Sequence, residues 1–209
     1  IDPRCSKTAA RAWKWLPVEP INGVGAVAMG MIQWILGNNR FDARYLQNAN
    51  KAAAKADNEP TWCQATWLVK IGEDGKPGKY LRGSDLGWPT EKRPKKKAEE
   101  GEWEFDSFIV LAGGKPVPFD PNSETAAVEG ELLVDAEVNG IKFKSVLQII
   151  REAAQAKQLG EWAKLAGIKE SDIVDIAKEF TSHGKKAVAD VHRGVSQQTS
   201  GFYNVVAWY

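Results

Sequence analysis

An apolar stripe over residues 22–36 constrains the fold of this chain more than any other feature. Val24, Val27, Ala28, Met31, Ile32 and Ile35 recur at i, i+3, i+4, i+7, i+8 and i+11, the spacing that lines one face of a helix. Gly37-Asn38-Asn39 stops that helix. Asp42 caps a second helical stretch through Tyr45, Leu46 and Ala49, which fades into an Ala/Lys-rich tail before Pro60. Helices return at Ser145, with Val146, Ile149, Ile150 and Ala153 on one face. A short helix over 159–165 ends at Gly167, and Ser171 caps a third carrying Ile173, Ile176, Ala177 and Phe180. Lys186-Ala187-Val188-Ala189-Asp190-Val191 follows at once and reads as a parallel strand. Helix, short turn, strand is the pattern of a doubly wound α/β domain with a parallel sheet.

The middle of the chain changes character. Trp62 to Lys70 favours strand, Glu73-Asp74-Gly75 makes a turn before Tyr80-Leu81, and Trp103 to Leu111 is strand-like before Gly113-Gly114. Glu131 to Val138 and Ile141 to Phe143 flank Asn139-Gly140, a strong hairpin signal. Residues 89–102 are charged and read as an exposed loop. The expected organisation is a first α/β part over 1–59, a β-rich insertion over 60–143 and a second α/β part over 144–209.

Composition narrows the function. Lys plus Arg is 28 and Asp plus Glu is 27, a net charge of +1, which argues against a nucleic-acid-binding domain. Lys92-Arg93-Pro94-Lys95-Lys96-Lys97 is answered by Glu99, Glu100, Glu102 and Glu104, so it reads as a solvated face. No apolar run is long enough to span a membrane. Cys5 and Cys63 lie too far apart, without neighbouring ligands, for a local zinc or iron–sulfur site. The chain has 9 tryptophans, read as core or interface anchors. His183, after an amphipathic helix, reads as a polar helix cap. The opening Ile1-Asp2-Pro3-Arg4, without Met, reads as a piece of something longer that lacks neighbouring domains.

In open α/β sheets ligands bind beyond the carboxyl ends of strands. Two segments qualify. Ile1-Asp2-Pro3-Arg4 looks like a strand end turning away at Pro3. His192-Arg193-Gly194-Val195-Ser196-Gln197-Gln198-Thr199-Ser200-Gly201, between the strand and a final helix over 202–209, suits a phosphate or polar heterocycle, or is a structural turn. Gly23-x-Gly25-x-x-Ala28 matches a dinucleotide fingerprint with Asp42 downstream, but Pro17 and Pro20 deny it the preceding strand. No Ser/His/Asp triad or carboxylate pair appears.

The order of these motifs resembles a known family. Asp-Pro-Arg, then Trp15-Leu16-Pro17-Val18-Glu19-Pro20, an Ala-rich helix ending Met31-Ile32-Gln33-Trp34-Ile35, and Asn38-Asn39-Arg40-Phe41-Asp42-x-x-Tyr45-Leu46 are similar to the molybdopterin oxidoreductases of the dimethyl sulfoxide reductase superfamily. So are Ile173-Val174-Asp175-Ile176-Ala177-Lys178-Glu179-Phe180 and the block from Val191 to Asn204. Within the superfamily the tetrathionate reductase catalytic subunits look nearest, respiratory arsenate reductases next. The stretch 60–143 resembles the family only loosely.

The resemblance implies a Rossmann-like, three-layer domain, truncated on its N-terminal side, that binds one of two molybdopterin guanine dinucleotides carrying molybdenum. It implies Asp2, Pro3 and Arg4 at the guanosine end, and His192, Arg193, Gly194, Gln197, Thr199 and Gly201 toward the pterin. Where the family has Pro-Gly-Thr-Asp, this chain has Ile21-Asn22-Gly23-Val24, so Asn22 and Gly23, through side chain or backbone, take the place of the aspartate. The 4Fe-4S cluster and the molybdenum ligand are expected on segments outside this chain. The implied partners are the other domains of the same polypeptide, an electron-transfer partner carrying iron–sulfur centres and a membrane anchor, with no nucleic acid and no direct membrane insertion. The implied reaction is two-electron reduction of a sulfur oxyanion in the periplasm or at the outer face of the cytoplasmic membrane, arsenate being the alternative. The chain alone is expected to be inactive. A non-catalytic nucleotide-binding module is the reading outside this class.

Overall fold

A computed structural model describes residues 1–95, 101–191, 193–197 and 199–208, with Arg193 described by its backbone alone. The charge-run residues Lys96, Lys97, Glu99 and Glu100, and also His192, Gln198 and Tyr209, lie outside the described residues. The chain packs as two compact units, residues 1–41 with 151–209, and residues 42–150. These boundaries stand beside sequence-based limits at 59/60 and 143/144.

The first unit is built around helix α1, Gly23–Gly37. Its apolar stripe points inward as the spacing predicts, with Val27, Ala28 and Met31 buried. Gly25 and Gly30 are buried as well, so the helix is covered on more than one side. Asn38 and Arg40 close its end by donating backbone N–H groups to the carbonyls of Trp34 and Ile35, both at 3.0 Å.

The second unit begins with α2, Ala43–Gln47, whose first turn is held by Asp42 Oδ1 accepting from the Tyr45 N–H at 3.0 Å. Helix α3, Lys51–Ala56, follows. Its cap Asn50 is fully buried because its amide is satisfied on all sides: Oδ1 accepts from Ala53 and Val128, and Nδ2 donates to the Ala126 carbonyl at 2.7 Å. Strands β1, Leu68–Ile71, and β2, Pro77–Tyr80, come next, then a charged ribbon of β3, Glu91–Pro94, and β4, Glu102–Phe105. A second ribbon joins β5, Phe108–Ala112, to β6, Lys115–Phe119. The last pair is β7, Asp135–Val138, and β8, Ile141–Ser145. The sheet order is β2-β1-β8-β7, antiparallel throughout. Asn139 and Gly140 take φ of 52° and 79° at the β7–β8 turn, as the Asn-Gly signal predicts. Trp67 anchors the core, its ring against Tyr80, Phe108 and Phe119 and its Nε1 donating to the Ala49 carbonyl at 3.0 Å.

Helix α4, Val146–Gln155, crosses from the second unit back to the first. There α5, Leu159–Ala166, and α6, Glu170–Ser182, pack on α1 through Ala163, Ala166, Ile173 and Ala177. The chain ends with α7, Arg193–Ser196, and α8, Gly201–Trp208. His183 sits at the end of α6 with its ring nitrogen 2.9 Å from Glu179 Oε1, the polar terminal role expected of it.

Helices and strands mix as in an α/β protein, but several local expectations differ. Strand pairing among the described residues is antiparallel; the parallel ladder expected from Lys186–Val191 is not formed. Residues 184–186 are a 3-10 turn, and the run beyond them leaves Val188 84% exposed, with no neighbouring strand among the described residues. The charged run 89–102 is not simply a loop, since cross-strand pairing sets Lys92 opposite Glu104 and opposite charges there favour a ribbon. Helix α6 begins at Glu170, one residue before the predicted cap Ser171, because Asp172 accepts from the Lys169 N–H at 3.1 Å and closes the first turn.

Candidate functional site

The first unit holds an apolar cleft of about 210 Å³. Its wall includes Ile1, Val24, Val191, Val195 and Trp208, with Asp190 the one charged side chain in the lining among the described residues. Those residues are the immediate neighbours of the predicted site segments. Ile1 precedes Asp2-Pro3-Arg4, Val24 follows Asn22-Gly23, and Val191 and Val195 bracket residues 192–194. Each of the three segments thus has a sequence neighbour in the wall of one cleft, while Asp2, Pro3, Arg4, Asn22 and Gly23 themselves do not line it.

The Asp2 turn is fixed by its own chemistry. Asp2 Oδ1 accepts from the Arg4 N–H at 2.8 Å, the local side-chain-to-backbone bond that aspartate forms in turns. The turn is then clamped to a buried segment: Asp2 N–H donates to the Leu16 carbonyl at 3.1 Å, and Trp15 Nε1 donates to the Asp2 carbonyl at 2.7 Å. Leu16 is buried in the core, so the clamp holds the turn to the body of the unit. Pro3 and Arg4 are exposed, and the Arg4 guanidinium has no ion pair among the described residues.

Asn22 precedes α1 in the left-handed region, with φ 63°, a conformation asparagine tolerates. It is exposed, and its carbonyl accepts from the Ala26 N–H at 2.9 Å. Gly23 is buried where a β-carbon would lie 3.2 Å from Glu19 Cβ and 3.3 Å from Val18 Cβ. No strand precedes these glycines, so the dinucleotide fingerprint lacks its required context.

Within the expected loop over 192–201, residues 193–196 form α7 and Gly201 begins α8. Arg193 opens α7 and Gly194 lies within it, exposed; Gln197 and Thr199 are exposed in the turn that follows. His192 and the Arg193 side chain lie outside the described residues. Gly201 starts α8 where a β-carbon would stand 1.9 Å from the Ser196 carbonyl oxygen, so the turn closes only around glycine. Trp208 Nε1 donates to the Val24 carbonyl at 3.2 Å and pins the end of α8 to the start of α1.

Asn204 is the residue that sequence reading missed. It is only 6% exposed and lies against Gly25, and among the described residues its Nδ2 has no hydrogen-bond partner. A polar residue in an otherwise apolar terminal helix is the signal that marks it. The two cysteines do no such work: Cys5 is exposed, while Cys63 donates to the Leu46 carbonyl at 3.6 Å and burial pushes its thiol up. Among the described residues no three His, Cys, Asp or Glu side chains gather as a metal site, and no helix is long and apolar enough to cross a membrane.

Comparison with known proteins adds the class. No family model matches the chain. It is 47% identical over 204 residues to the A chain of the selenate reductase of Mesobacillus selenatarsenatis, and 31% identical over 196 residues to that of the tetrathionate reductase of Salmonella typhimurium. The corresponding polypeptide of the tetrathionate reductase of Archaeoglobus fulgidus is 28% identical over 208 residues. The chain is homologous to part of these reductases. The alignments cover 98%, 93% and 99% of the chain but only 17–18% of the relatives' length. It thus corresponds to a segment of a molybdopterin oxidoreductase, as the motif resemblance implies. Tetrathionate does not stand out as expected, since the selenate reductase shares the higher identity.

Proposed function

We propose that this segment forms one wall of a molybdopterin guanine dinucleotide site in the catalytic subunit of an oxyanion reductase. The observation that carries the reading is one cleft lined by Ile1, which precedes the Asp2 turn, by Val24 of α1 and by Val195 of α7. Asp2 and Arg4 do not line the cleft but follow its lining residue Ile1 in sequence, and their chemistry suits the nucleotide end of such a cofactor. A carboxylate matches the N–H edge of guanine, and an exposed guanidinium matches phosphate. The cleft floor is apolar, so the polar groups act at its rim.

In this reading Asp2 and Arg4 hold the guanosine end, with Asn22 and Gly23 beside them. Arg193, Gly194, Gln197, Thr199 and Gly201 continue the wall from α7, and His192 belongs to the same segment. The Leu16 and Trp15 bonds fix the Asp2 backbone and the Arg4 N–H orients its carboxylate, so binding needs little reordering. Bound molybdenum cofactor supplies two-electron chemistry; this chain's residues bind and orient.

The substrate class is an oxyanion of a group-16 element, as the relatives' names specify selenate and tetrathionate. Electrons arrive through iron–sulfur centres held on other segments and on partner subunits of the complex. Titrating the chain with guanosine diphosphate and with NAD tests the binding half of this reading. Guanosine diphosphate binding that weakens in Asp2→Ala supports it. NAD preference, abolished by Gly25→Val and untouched by Asp2→Ala, sinks it.

A further inference from the structure

The second unit carries a separate groove of about 620 Å³ between β1, β2 and the first turns of α4. Its floor is apolar, from Val69, Val146, Ile149 and Ile150, and Ile150 remains 38% exposed. Lys70, Lys79 and Arg82 share the lining with one carboxylate among the described residues, Asp85, while the Asp106 carboxylate outside the lining also acts on Arg82. The Asp85 carboxylate is already engaged: Lys70 Nζ lies 2.6 Å from Oδ1, and the Arg82 backbone N–H donates to Oδ2 at 2.9 Å. Lys79 and the Arg82 guanidinium therefore have no carboxylate in ion-pair contact among the described residues.

Arg82 is set differently from a surface lysine. Its guanidinium carbon lies 3.4 Å from the centre of the Phe108 ring, stacked on an aromatic face. Among the described residues its one side-chain hydrogen bond runs from Nη1 to the Asp106 carbonyl at 3.2 Å, so most of its planar donors remain open. Burial lowers its pKa, which marks a cation partly stripped of water. A stacked, half-dehydrated guanidinium presents itself to a carboxylate at less cost than a mobile lysine does. Alongside runs β2, an edge strand of the four-stranded sheet.

We propose that this groove docks an acidic, leucine-type peptide segment of a partner polypeptide, its carboxylates on Arg82 and Lys79 and its apolar side chains on Ile149 and Ile150. Charge complementarity selects the partner, since the unpaired groups are cationic while the floor asks for an apolar anchor. A lysine on an edge strand also discourages sheet-to-sheet pairing; that role alone leaves the stacked Arg82 and the exposed Ile150 unexplained.

The test is fluorescence anisotropy of the full chain with a labelled peptide alternating glutamate and leucine, against a lysine–leucine peptide of equal length. The acidic peptide is expected to bind and the basic one not. Lys79→Glu, an exposed change that spares the core, and Arg82→Gln are each expected to weaken binding about tenfold, and salt to weaken it further. Lys55→Glu, on α3 away from the groove lining, is expected to leave it unchanged. Equal binding of both peptides, no binding, indifference to Lys79→Glu, or an equal loss in Lys55→Glu overturns the proposal.

Discussion

The side chain of Asn204 presses against Gly25 so closely that a β-carbon at residue 25 would stand 2.1 Å from its Oδ1. This contact joins the last helix of the chain to the first. A helix interior favours alanine over glycine by about 1 kcal/mol, whereas overpacking a tight site costs about 1–3 kcal/mol. Gly25→Ala is therefore expected to lower stability despite its better helix propensity. Combining it with Asn204→Ala empties the space and is expected to recover the loss. Denaturant midpoints of the two variants check this; a single variant more stable than the parent contradicts it.

A pH dependence follows from Lys14, which lies 2.7 Å from Asp172 and 2.9 Å from Asp175 on α6. The hydrogen bond from Lys14 is the largest cause holding the Asp172 carboxyl below its ordinary value, and the same bond raises the pKa of Lys14. A depressed carboxyl pKa contributes stability above its unfolded value, near 3.8, that is lost as pH falls through the lower folded value. The raised lysine contributes fully below its unfolded value, 10.5, and loses that contribution as pH rises through the folded one. Both groups are partly solvated, so the pair is worth about 0.2–1 kcal/mol. Lys14→Met is expected to flatten the acid limb of the melting-temperature profile; an unchanged limb rules the coupling out.

The Asn139-Gly140 turn offers a local check. Both residues have positive φ, which alanine adopts at a cost of about 1–2 kcal/mol. Gly140→Ala is expected to lower stability by that order, with an opening of the β7–β8 ladder visible in amide hydrogen exchange. Protection unchanged at Val138 and Ile141 contradicts the assigned turn.

What the sequence revealed and what it hid divide along range. The α1 stripe and the Asn139-Gly140 hairpin are local signals, written within one element, and the structure has both. The β3–β4 ribbon was hidden because Glu91, Lys92 and Arg93 carry no apolar alternation; its pairing comes from charges across the strands and from Arg93, whose guanidinium carbon lies 3.7 Å from the Phe105 ring centre. Lys186–Val191 has strand composition, but a ladder needs a neighbour, and none among the described residues takes that place. Asp2-Pro3-Arg4 and the α7 segment were read as following strands, but among the described residues no strand precedes either one. That Ile1, Val191 and Val195 beside them line one cleft was not legible, since it depends on the packing of α1 and α8, and on Asn204 against Gly25.

The central claim, that the Asp2 turn holds the guanosine end of a pterin dinucleotide, is tested most directly by the cofactor content of the complete catalytic polypeptide. Guanine nucleotide released on denaturation would be quantified for the parent, Asp2→Ala and Arg4→Gln. Losing a hydrogen bond to a charged group costs about 1.5–3 kcal/mol, roughly ten- to a hundredfold in affinity. Each variant is expected to retain less nucleotide while its thermal unfolding stays near that of the parent. Full nucleotide content in both folded variants contradicts the account.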